Sequence, residues 1–313
     1  MPLSLRPLFA GIDIGGTTTQ VVVCSDDLKV LDRAETATPA REGGPAMVGA
    51  ALDALAPLLA RTPGRLVGAG IGAAGVVDSA NGRILVASDS FSGWAGFAVT
   101  AAVEDALGVP AYLDNDVNAF LYGEVHGGAV RGEADVLGMT LGTGVGGALW
   151  TNGVLYAGPH GAAGEIGHIP GFGDLPCSCG GRGHLETLAS GRSIGARYAD
   201  RTGRHRTARE VAEAAAAGDD DALAVYRAAG AGIARAIVIT AGVADITTVV
   251  VGGGVSRAWP LLEPLVLSAL AAEPPISGHP VRLVRAALAS DAVPVGAAAR
   301  VRGELGTGLR ALT

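Results

Sequence analysis

The chain has 313 residues, which is long for a single hydrophobic core and predicts two lobes. A formal net charge of −7 and a pI near 5.4 exclude the broad basic surface by which proteins bind nucleic acid. Mean hydropathy is +0.38, yet no run of about 18 uninterrupted apolar residues is present, so no membrane association is expected. The first residues lack the long apolar segment of a secretory signal, and we expect a cytoplasmic protein.

Alternating strands and helices are predicted in the first part of the chain. Two β-branched runs, 8–14 and 21–24, flank a glycine-threonine turn and predict a β-hairpin. The patterns that follow predict helices at 45–60 and 99–107 and strands at 65–72 and 111–113. A further helix is expected at 116–127.

The remainder of the chain continues the alternation with longer helices. A strand pair is predicted at 136–141 and 147–150, followed by a turn-rich connection at 153–160. Ala-rich patterns then predict helices at 192–200, 207–217 and 220–241. A strand is predicted at 247–251, and the two last helices at 259–270 and 295–304. This order of elements indicates an α/β protein.

Glycine is unusually frequent, with 49 residues, and many lie in three loops that each follow an apolar run, at 15–19, 142–147 and 252–256. Glycine brings bare N–H groups close to an anion, and Thr or Ser hydroxyls add donors, so the loops suggest a nucleotide site. Lys29 is the only lysine, and the P-loop pattern Gly-x-x-x-x-Gly-Lys is absent. Phosphate charge must therefore be met by backbone N–H groups, hydroxyls, arginine or Mg²⁺.

The first two loops repeat one pattern of strand, glycine-threonine turn and strand, which predicts a duplicated fold. Six motifs follow one another in the order and spacing of the ROK family of sugar kinases and repressors: Asp13-Ile14-Gly15-Gly16-Thr17, Asn115-Asp116, Leu141-Gly142-Thr143-Gly144-Val145-Gly146, Glu165-Ile166-Gly167-His168, Cys177-Ser178-Cys179-Gly180 and Glu186. The chain resembles this family over nearly its whole length. The resemblance implies an actin-like (ribonuclease H-like) α/β fold with two lobes and a cleft between them. The small lobe would span 1–113, completed by the C-terminal helix at 297–313, and the large lobe 114–296, with a zinc loop.

The resemblance also implies an ATP-dependent kinase that phosphorylates the 6-hydroxyl of a hexose. Asp116 would be the catalytic base that takes the proton from this hydroxyl, and Asn115 would hydrogen-bond neighbouring hydroxyls. From the residues alone, Asn115-Asp116 is equally typical of a turn that caps a helix.

Further sugar and nucleotide contacts are implied by the same resemblance. Glu165, His168 and Glu186 would bind sugar hydroxyls, with Gly75 also at the substrate, although a lone glutamate is more often a solvated surface residue. Asp13 would hold Mg²⁺, or would simply cap its turn. The remaining nucleotide contacts fall on Gly15, Gly16, Thr17, Thr18, Gly142, Thr143, Gly144 and Gly146 at the phosphates and on Gly252, Gly253 and Gly254 at the adenosine. Thr18 stands where family members often carry lysine, and 252–254 could be only a strand-to-helix turn.

A structural zinc site is implied at His168, Cys177, Cys179 and position 184. The family places a third cysteine at this last position, whereas this chain has His184. Two histidines and two cysteines are an ordinary zinc ligand set, and Cys-x-Cys-x₄-His folds one tight loop around an ion. The alternative is two buried cysteines with an incidental histidine.

The identity of the sugar depends on the segment 88–94, which reads Ser-Asp-Ser-Phe-Ser-Gly-Trp. Glucokinases of the family usually carry Asn-Leu-x-Trp here, and only Trp94 is kept. Small residues at 72–75 beside Ser90 would leave room for an N-acetyl group at the sugar's 2-position. N-acetylglucosamine or N-acetylmannosamine is therefore favoured over glucose.

Two other functional classes share parts of these motifs. A repressor of the family would need a winged helix-turn-helix before the strand at 11–13. This strand begins about ten residues into the chain, so a repressor is not favoured. A non-catalytic sugar-sensing regulator shares the sugar-binding residues, but it has no need of a carboxylate at Asp116. The resemblance further suggests a homodimer whose partners are sugar and ATP.

Overall fold

A computed structural model describes residues 6–310 of the chain. The chain divides into two compact units. The first unit comprises Met1–Gly132, Ala157–Ala162 and Ser290–Thr313, and the second comprises Glu133–Tyr156 and Ala163–Ala289. Each unit is built around one five-stranded sheet.

The elements are numbered in chain order. The strands are β1 (Pro7–Ile14), β2 (Thr18–Ser25), β3 (Val30–Ala37), β4 (Arg65–Ala73), β5 (Val76–Asp78), β6 (Arg83–Val86), β7 (Ala111–Asn115), β8 (Val136–Leu141), β9 (Val145–Thr151), β10 (Val154–Tyr156), β11 (Thr248–Gly252) and β12 (Arg282–Arg285). The helices are α1 (Gly44–Arg61), α2 (Val99–Leu107), α3 (Asp116–Gly127), α4 (Glu186–Ala189), α5 (Gly191–Thr202), α6 (Ala208–Ala216), α7 (Asp220–Ala244), α8 (Trp259–Ala272) and α9 (Ala292–Arg310).

The two large sheets have the same topology. In the first unit the order is β3-β2-β1-β4-β7, with β1, β2 and β3 antiparallel and β4 and β7 parallel to β1. In the second unit the order is β10-β9-β8-β11-β12, again with three antiparallel strands and then two parallel ones. The duplication predicted from the two glycine-threonine hairpins is confirmed.

Most predicted elements are present, and α2, α3 and β8 have the predicted bounds. The sequence patterns missed β3 because Asp32, Arg33 and Glu35 interrupt its apolar residues. They missed β12 because it is four residues long with arginine at both ends. The segment expected as a turn at 153–160 contains the short strand β10.

Each unit has its own hydrophobic core. In the first, α1 turns the face of Met47, Ala51, Leu55 and Leu58 onto the sheet, with the spacing of an amphipathic helix. In the second, α7 runs through the core with Ile233 and Ile237 among its buried side chains. α7 is also long and apolar enough to cross a membrane, but 56% of its most apolar window is buried inside the protein, as in the core helix of a soluble domain.

Glycines let α9 approach the first sheet closely. A Cβ on Gly11 of β1 would overlap the carbonyl oxygen of Pro294, and a Cβ on Gly70 of β4 would overlap that of Ala297. Glycine is therefore required at both positions by backbone contact, because a methyl group there would push the helix away.

Gly70→Ala is expected to destabilise the protein by about 3 kcal/mol or more, or to prevent folding, because the backbone of α9 has to move. Urea unfolding monitored by circular dichroism measures this. Gly49→Ala is the matched control, because that glycine lies in α1 with open space around it, and alanine there should stabilise by about 0.5–1 kcal/mol. Equal midpoints for the two variants would contradict the close approach of α9.

Candidate active site and metal cluster

The carboxyl ends of three parallel strands meet at one edge of the first sheet. The register pairs Asp13 of β1 with Gly72 of β4, and Gly72 with Asp114 of β7. Ligands commonly bind at the carboxyl ends of strands in α/β sheets. The predicted residues Asp13, Asn115 and Asp116 are therefore at this one edge.

Asn115 caps helix α3, as the alternative interpretation of the sequence predicts. Its Oδ1 accepts hydrogen bonds from the N–H groups of Val117 at 2.8 Å and Asn118 at 3.3 Å. Its Nδ2 donates to the carbonyl oxygen of Gly75 at 2.9 Å, which leaves one N–H of the amide for a ligand. Gly75 has φ +115°, a conformation that favours glycine.

Asp116 is the first residue of α3, where the helix dipole stabilises its negative charge. Its Oδ1 accepts from the Val117 N–H at 3.0 Å. Burial, together with the negative charge of Asp116, raises the pKa of Asp13 from 3.8 to about 8. Two neighbouring carboxylates repel one another unless a proton or a cation lies between them, and carboxylate oxygens are the ligands that Mg²⁺ prefers.

The raised pKa of Asp13 makes stability depend on pH. From about pH 4 to about pH 8 the unfolded chain has released this proton while the folded protein retains it, so raising the pH favours unfolding. Asn at position 13 has no proton to release, so the free energy of unfolding of Asp13→Asn should not fall in this way. The difference in free energy of unfolding, variant minus wild type, should therefore increase from about pH 4 to about pH 8. Urea titrations without divalent metal measure the difference, with Asp53→Asn on the exposed side of α1 as control. Parallel pH profiles for wild type and Asp13→Asn would contradict the burial of this carboxyl group.

The first glycine turn joins β1 to β2. The Gly15 N–H donates to the carbonyl oxygen of Thr18 at 3.1 Å, and Gly16 and Thr17 at the tip are exposed. Phe91 would lie 3.4 Å from a Cβ on Gly16, so the segment that was expected to influence sugar choice packs near this turn. Trp94 in the same segment is 1% exposed and donates from Nε1 to the carbonyl oxygen of Ala74, so its side chain belongs to the core.

The buried pair of Asp114 and Asn118, next to Asn115 and Asp116 in the chain, has no clear signal in the sequence. Asp114 is 5% exposed, and its Oδ1 accepts from the Asn115 N–H at 2.9 Å and from Nδ2 of Asn118 at 2.8 Å. Burial raises the pKa of Asp114, while its hydrogen bonds and the charge of Arg300 oppose the rise. These bonds hold the backbone that carries Asp116.

The second unit brings two of the predicted glycine loops together. Its β8–β9 turn closes with a hydrogen bond from the Gly142 N–H to the carbonyl oxygen of Gly144 at 2.9 Å. β11 lies parallel to β8, so its last residue, Gly252, pairs with Thr140. Gly253 has φ +85°, and a Cβ there would lie 2.5 Å from the carbonyl oxygen of Leu141. Thr143 and Gly254 are on the same two loops, and Gly146 lies in β9, where it pairs with Thr140.

A cavity of about 1480 Å³ opens beside these loops within the second unit. Gly142, Thr143 and Gly254 line one side of it. The rest is lined by small residues of α5 and α6, by Tyr226 of α7 and Pro260 of α8, and by the charged side chains of Arg192, Arg206, Arg209, Glu210, Glu213 and Arg257. Its size suffices for a nucleotide, and its four arginines outnumber its two glutamates, which suits an anion.

The three residues expected to bind sugar hydroxyls all lie in the second unit. Glu165 is exposed and precedes the short 3₁₀ turn Ile166–His168. Glu186 begins α4, and its carboxylate accepts from the Val145 N–H at 3.1 Å and from the Ser178 hydroxyl at 2.6 Å. Charged acceptors of this kind can recognise adjacent hydroxyls.

The four predicted metal ligands form one cluster. The donor atoms of His168, Cys177, Cys179 and His184 all lie within 4.8 Å of one another. Sγ of Cys177 is 3.7 Å from Nδ1 of His168, and Sγ of Cys179 is 3.3 Å from Nδ1 of His184. Bonds of about 2.0–2.3 Å to zinc would separate tetrahedral ligands by similar distances. The donor set therefore fits a closed zinc site.

Comparison with known proteins gives the family. A profile of the ROK family matches residues 9–304. A glucokinase from Halalkalibacterium halodurans is 34% identical in an alignment of 277 residues that covers 82% of this chain and 83% of that protein. An N-acetylmannosamine kinase from Citrobacter koseri is 34% identical over 296 residues, which are 94% of this chain and 98% of that protein.

The solved structures agree. A ROK family glucokinase from Streptomyces griseus, in complex with glucose and AMPPNP, has a TM-score of 0.81 and 30% identity, over 93% of this chain and 98% of that one. A ROK hexokinase from Thermus thermophilus has a TM-score of 0.79, over 96% of this chain and 99% of that one. These similarities confirm the predicted actin-like α/β fold. The chain belongs to the ROK family.

Proposed function

We propose that this protein is an ATP-dependent sugar kinase that phosphorylates the 6-hydroxyl of a hexose. The observation that carries the proposal is the position of Asp116, which begins α3 at the carboxyl ends of the parallel strands, close enough to Asp13 to raise its pKa. Phosphoryl transfer to an alcohol needs a positioned carboxylate for the departing proton and a cation for the phosphates. This edge of the sheet supplies the carboxylate of Asp116, and the neighbouring carboxyl group of Asp13 suits the cation.

Asp116 accepts the proton of the attacking 6-hydroxyl. Its place at the first residue of α3 puts the carboxylate beside backbone N–H groups that carry partial positive charge. Asp13 contributes carboxylate oxygen to Mg²⁺, which would neutralise charge on the phosphates when bound. Asn115 and Gly75 fix the loop beside Asp116 through their hydrogen bond.

ATP is the proposed phosphoryl donor. The tips of the two turns, Gly16-Thr17 and Thr143-Gly144, offer N–H groups and threonine hydroxyls to phosphate oxygens. Gly254, which follows Gly252 and Gly253 after β11, lines the cavity of the second unit, and this cavity takes the adenosine. Arg192 and Arg257 line the same cavity and supply positive charge that the loops lack.

Glu165, His168 and Glu186 bind the hydroxyls of the sugar. We favour N-acetylglucosamine or N-acetylmannosamine, supported by the N-acetylmannosamine kinase from Citrobacter koseri among the relatives. The small residues at 72–75 do not carry this preference, because a Cβ on Gly72 would lie 2.6 Å from Val293 and one on Gly75 2.4 Å from the carbonyl oxygen of Val86. Glucose is the second candidate, supported by the glucokinase from Halalkalibacterium halodurans among the relatives. We also propose that the protein is soluble and cytoplasmic. It is further proposed to form a homodimer, which analytical ultracentrifugation would test.

Zinc at His168, Cys177, Cys179 and His184 is proposed as structural. All four positions would be taken by protein ligands, so the ion has no open position for a substrate. It would fix the loop that carries His168 and the start of α4, where Glu186 follows His184 by two residues.

A coupled kinase assay tests the function, using ATP, Mg²⁺ and a panel of glucose, N-acetylglucosamine, N-acetylmannosamine, mannose and allose. We expect turnover with at least one sugar, highest with an N-acetylhexosamine. Turnover restricted to glucose would contradict the preferred substrate but not the kinase. Binding of a sugar without any turnover across the panel would identify the protein as a sugar-sensing regulator instead.

A further inference from the structure

The carboxylate of Glu186 is held between two loops of the second unit. The Ser178 hydroxyl donates to its Oε1 at 2.6 Å, and the Val145 N–H donates to its Oε2 at 3.1 Å. Ser178 lies between the two cysteines of the metal cluster, and Val145 follows the turn Gly142–Gly144. One side chain therefore joins the cysteine loop to the turn assigned to phosphate.

The packing around this carboxylate leaves it little freedom. A Cβ on Gly144 would lie 2.5 Å from Oε2 of Glu186, so the turn passes directly against the carboxylate. Sγ of Cys177 lies 4.0 Å from Oε1 on the other side. The position of the carboxylate thus depends on the conformation of both loops.

We propose that Ser178 is a positioning residue, which holds Glu186 against the Val145 N–H and so couples the metal cluster to the sugar-binding carboxylate. The inference rests on the proposed sugar kinase function for its effect on substrate. Each carboxylate oxygen accepts about two hydrogen bonds, so Glu186 retains acceptor capacity for a sugar hydroxyl while both protein donors are bound. A carboxylate fixed in advance loses less rotamer entropy when the sugar binds.

Ser178→Ala is expected to raise KM for the preferred hexose about five- to tenfold, the scale of one partly exposed hydrogen bond to a charged group, with kcat nearly unchanged. Ser178→Thr keeps the hydroxyl and should restore KM. Ser277→Ala, an exposed serine elsewhere in the same unit, is the matched control and should leave KM unchanged. Equal KM values for wild type and Ser178→Ala would overturn the coupling.

Amide hydrogen exchange at Val145 tests the same inference without any activity. In metal-loaded protein, exchange should be faster in Ser178→Ala than in wild type, and slow again in Ser178→Thr. Unchanged exchange in Ser178→Ala would overturn the proposal, as would loss of the bound metal from that variant, because Ser178 would then act on the cluster and not on Glu186. If the wild type phosphorylates no hexose but the exchange responds as expected, the proposed function fails and the positioning role stands.

Discussion

Asp116→Asn should lower kcat for phosphoryl transfer by about 10³-fold, because the amide cannot accept the proton of the attacking hydroxyl. Sugar binding should change little, since the substitution keeps the shape of the side chain and removes a function needed only in the transition state. The coupled assay gives kcat, and isothermal titration calorimetry gives sugar affinity. A variant that binds sugar and does not phosphorylate it is the expected result.

A matched control separates the chemistry from the helix. Asp220 is the first residue of α7, as Asp116 is of α3, and each follows a capping side chain, Asp219 and Asn115. Asp220→Asn therefore makes the same change in the same helical position of the second unit, whereas the proposed base is in the first. It should lose less than about 1 kcal/mol of stability, the scale of helix-dipole effects, and no activity. Retention of wild-type kcat by Asp116→Asn would remove this residue as the base.

His184→Ala should release the zinc ion and lower the melting temperature by roughly 5–10 °C. Removing one of four ligands opens a closed tetrahedral site. The loop from Cys177 to His184 is then left with its hydrogen bonds, such as those from the Cys177 N–H to Gly181 and from the Ser178 hydroxyl to Glu186. Elemental analysis of protein made with ample zinc gives the stoichiometry, which should be one ion in the wild type, and thermal unfolding with and without a chelator gives the stabilisation.

Two further variants make the zinc experiment decisive. His184→Cys recreates a ligand set of one histidine and three cysteines, so it should keep both the ion and the melting temperature. His279→Ala removes an exposed histidine of the same unit and should change neither. Zinc retained at full stoichiometry by His184→Ala would contradict the assignment of this histidine as a ligand.

The parts of the site that sequence reasoning predicted are those determined by short stretches of chain. The glycine-threonine turns lie between adjacent strands of a hairpin, and the pattern from Cys177 to His184 closes within one loop. Local patterns of this kind carry their own geometry. The same reason explains why α2 and α3 were predicted with their full bounds.

The parts that sequence reasoning missed depend on the packing of distant segments. The burial of Asp114 follows from the register of β4 and β7, which no local pattern fixes. The cavity of the second unit is lined by α5, α6 and the turn after β11, which meet only in the folded chain. The bond from Ser178 to Glu186 requires the folded cysteine loop. Polar strands such as β3 are stabilised by their partner in the sheet and not by their own composition.

The most direct test of the proposed kinase is the identity of the phosphorylated product. Wild-type protein is incubated with ATP, Mg²⁺ and N-acetylglucosamine or N-acetylmannosamine, in parallel with the matching 6-deoxy sugar, and the products are followed by ³¹P NMR. The account predicts a phosphomonoester coupled to the two protons on C6, and no sugar phosphate from the 6-deoxy sugar. Phosphate at C1, or sugar phosphate formed equally well from the 6-deoxy analogue, would contradict it.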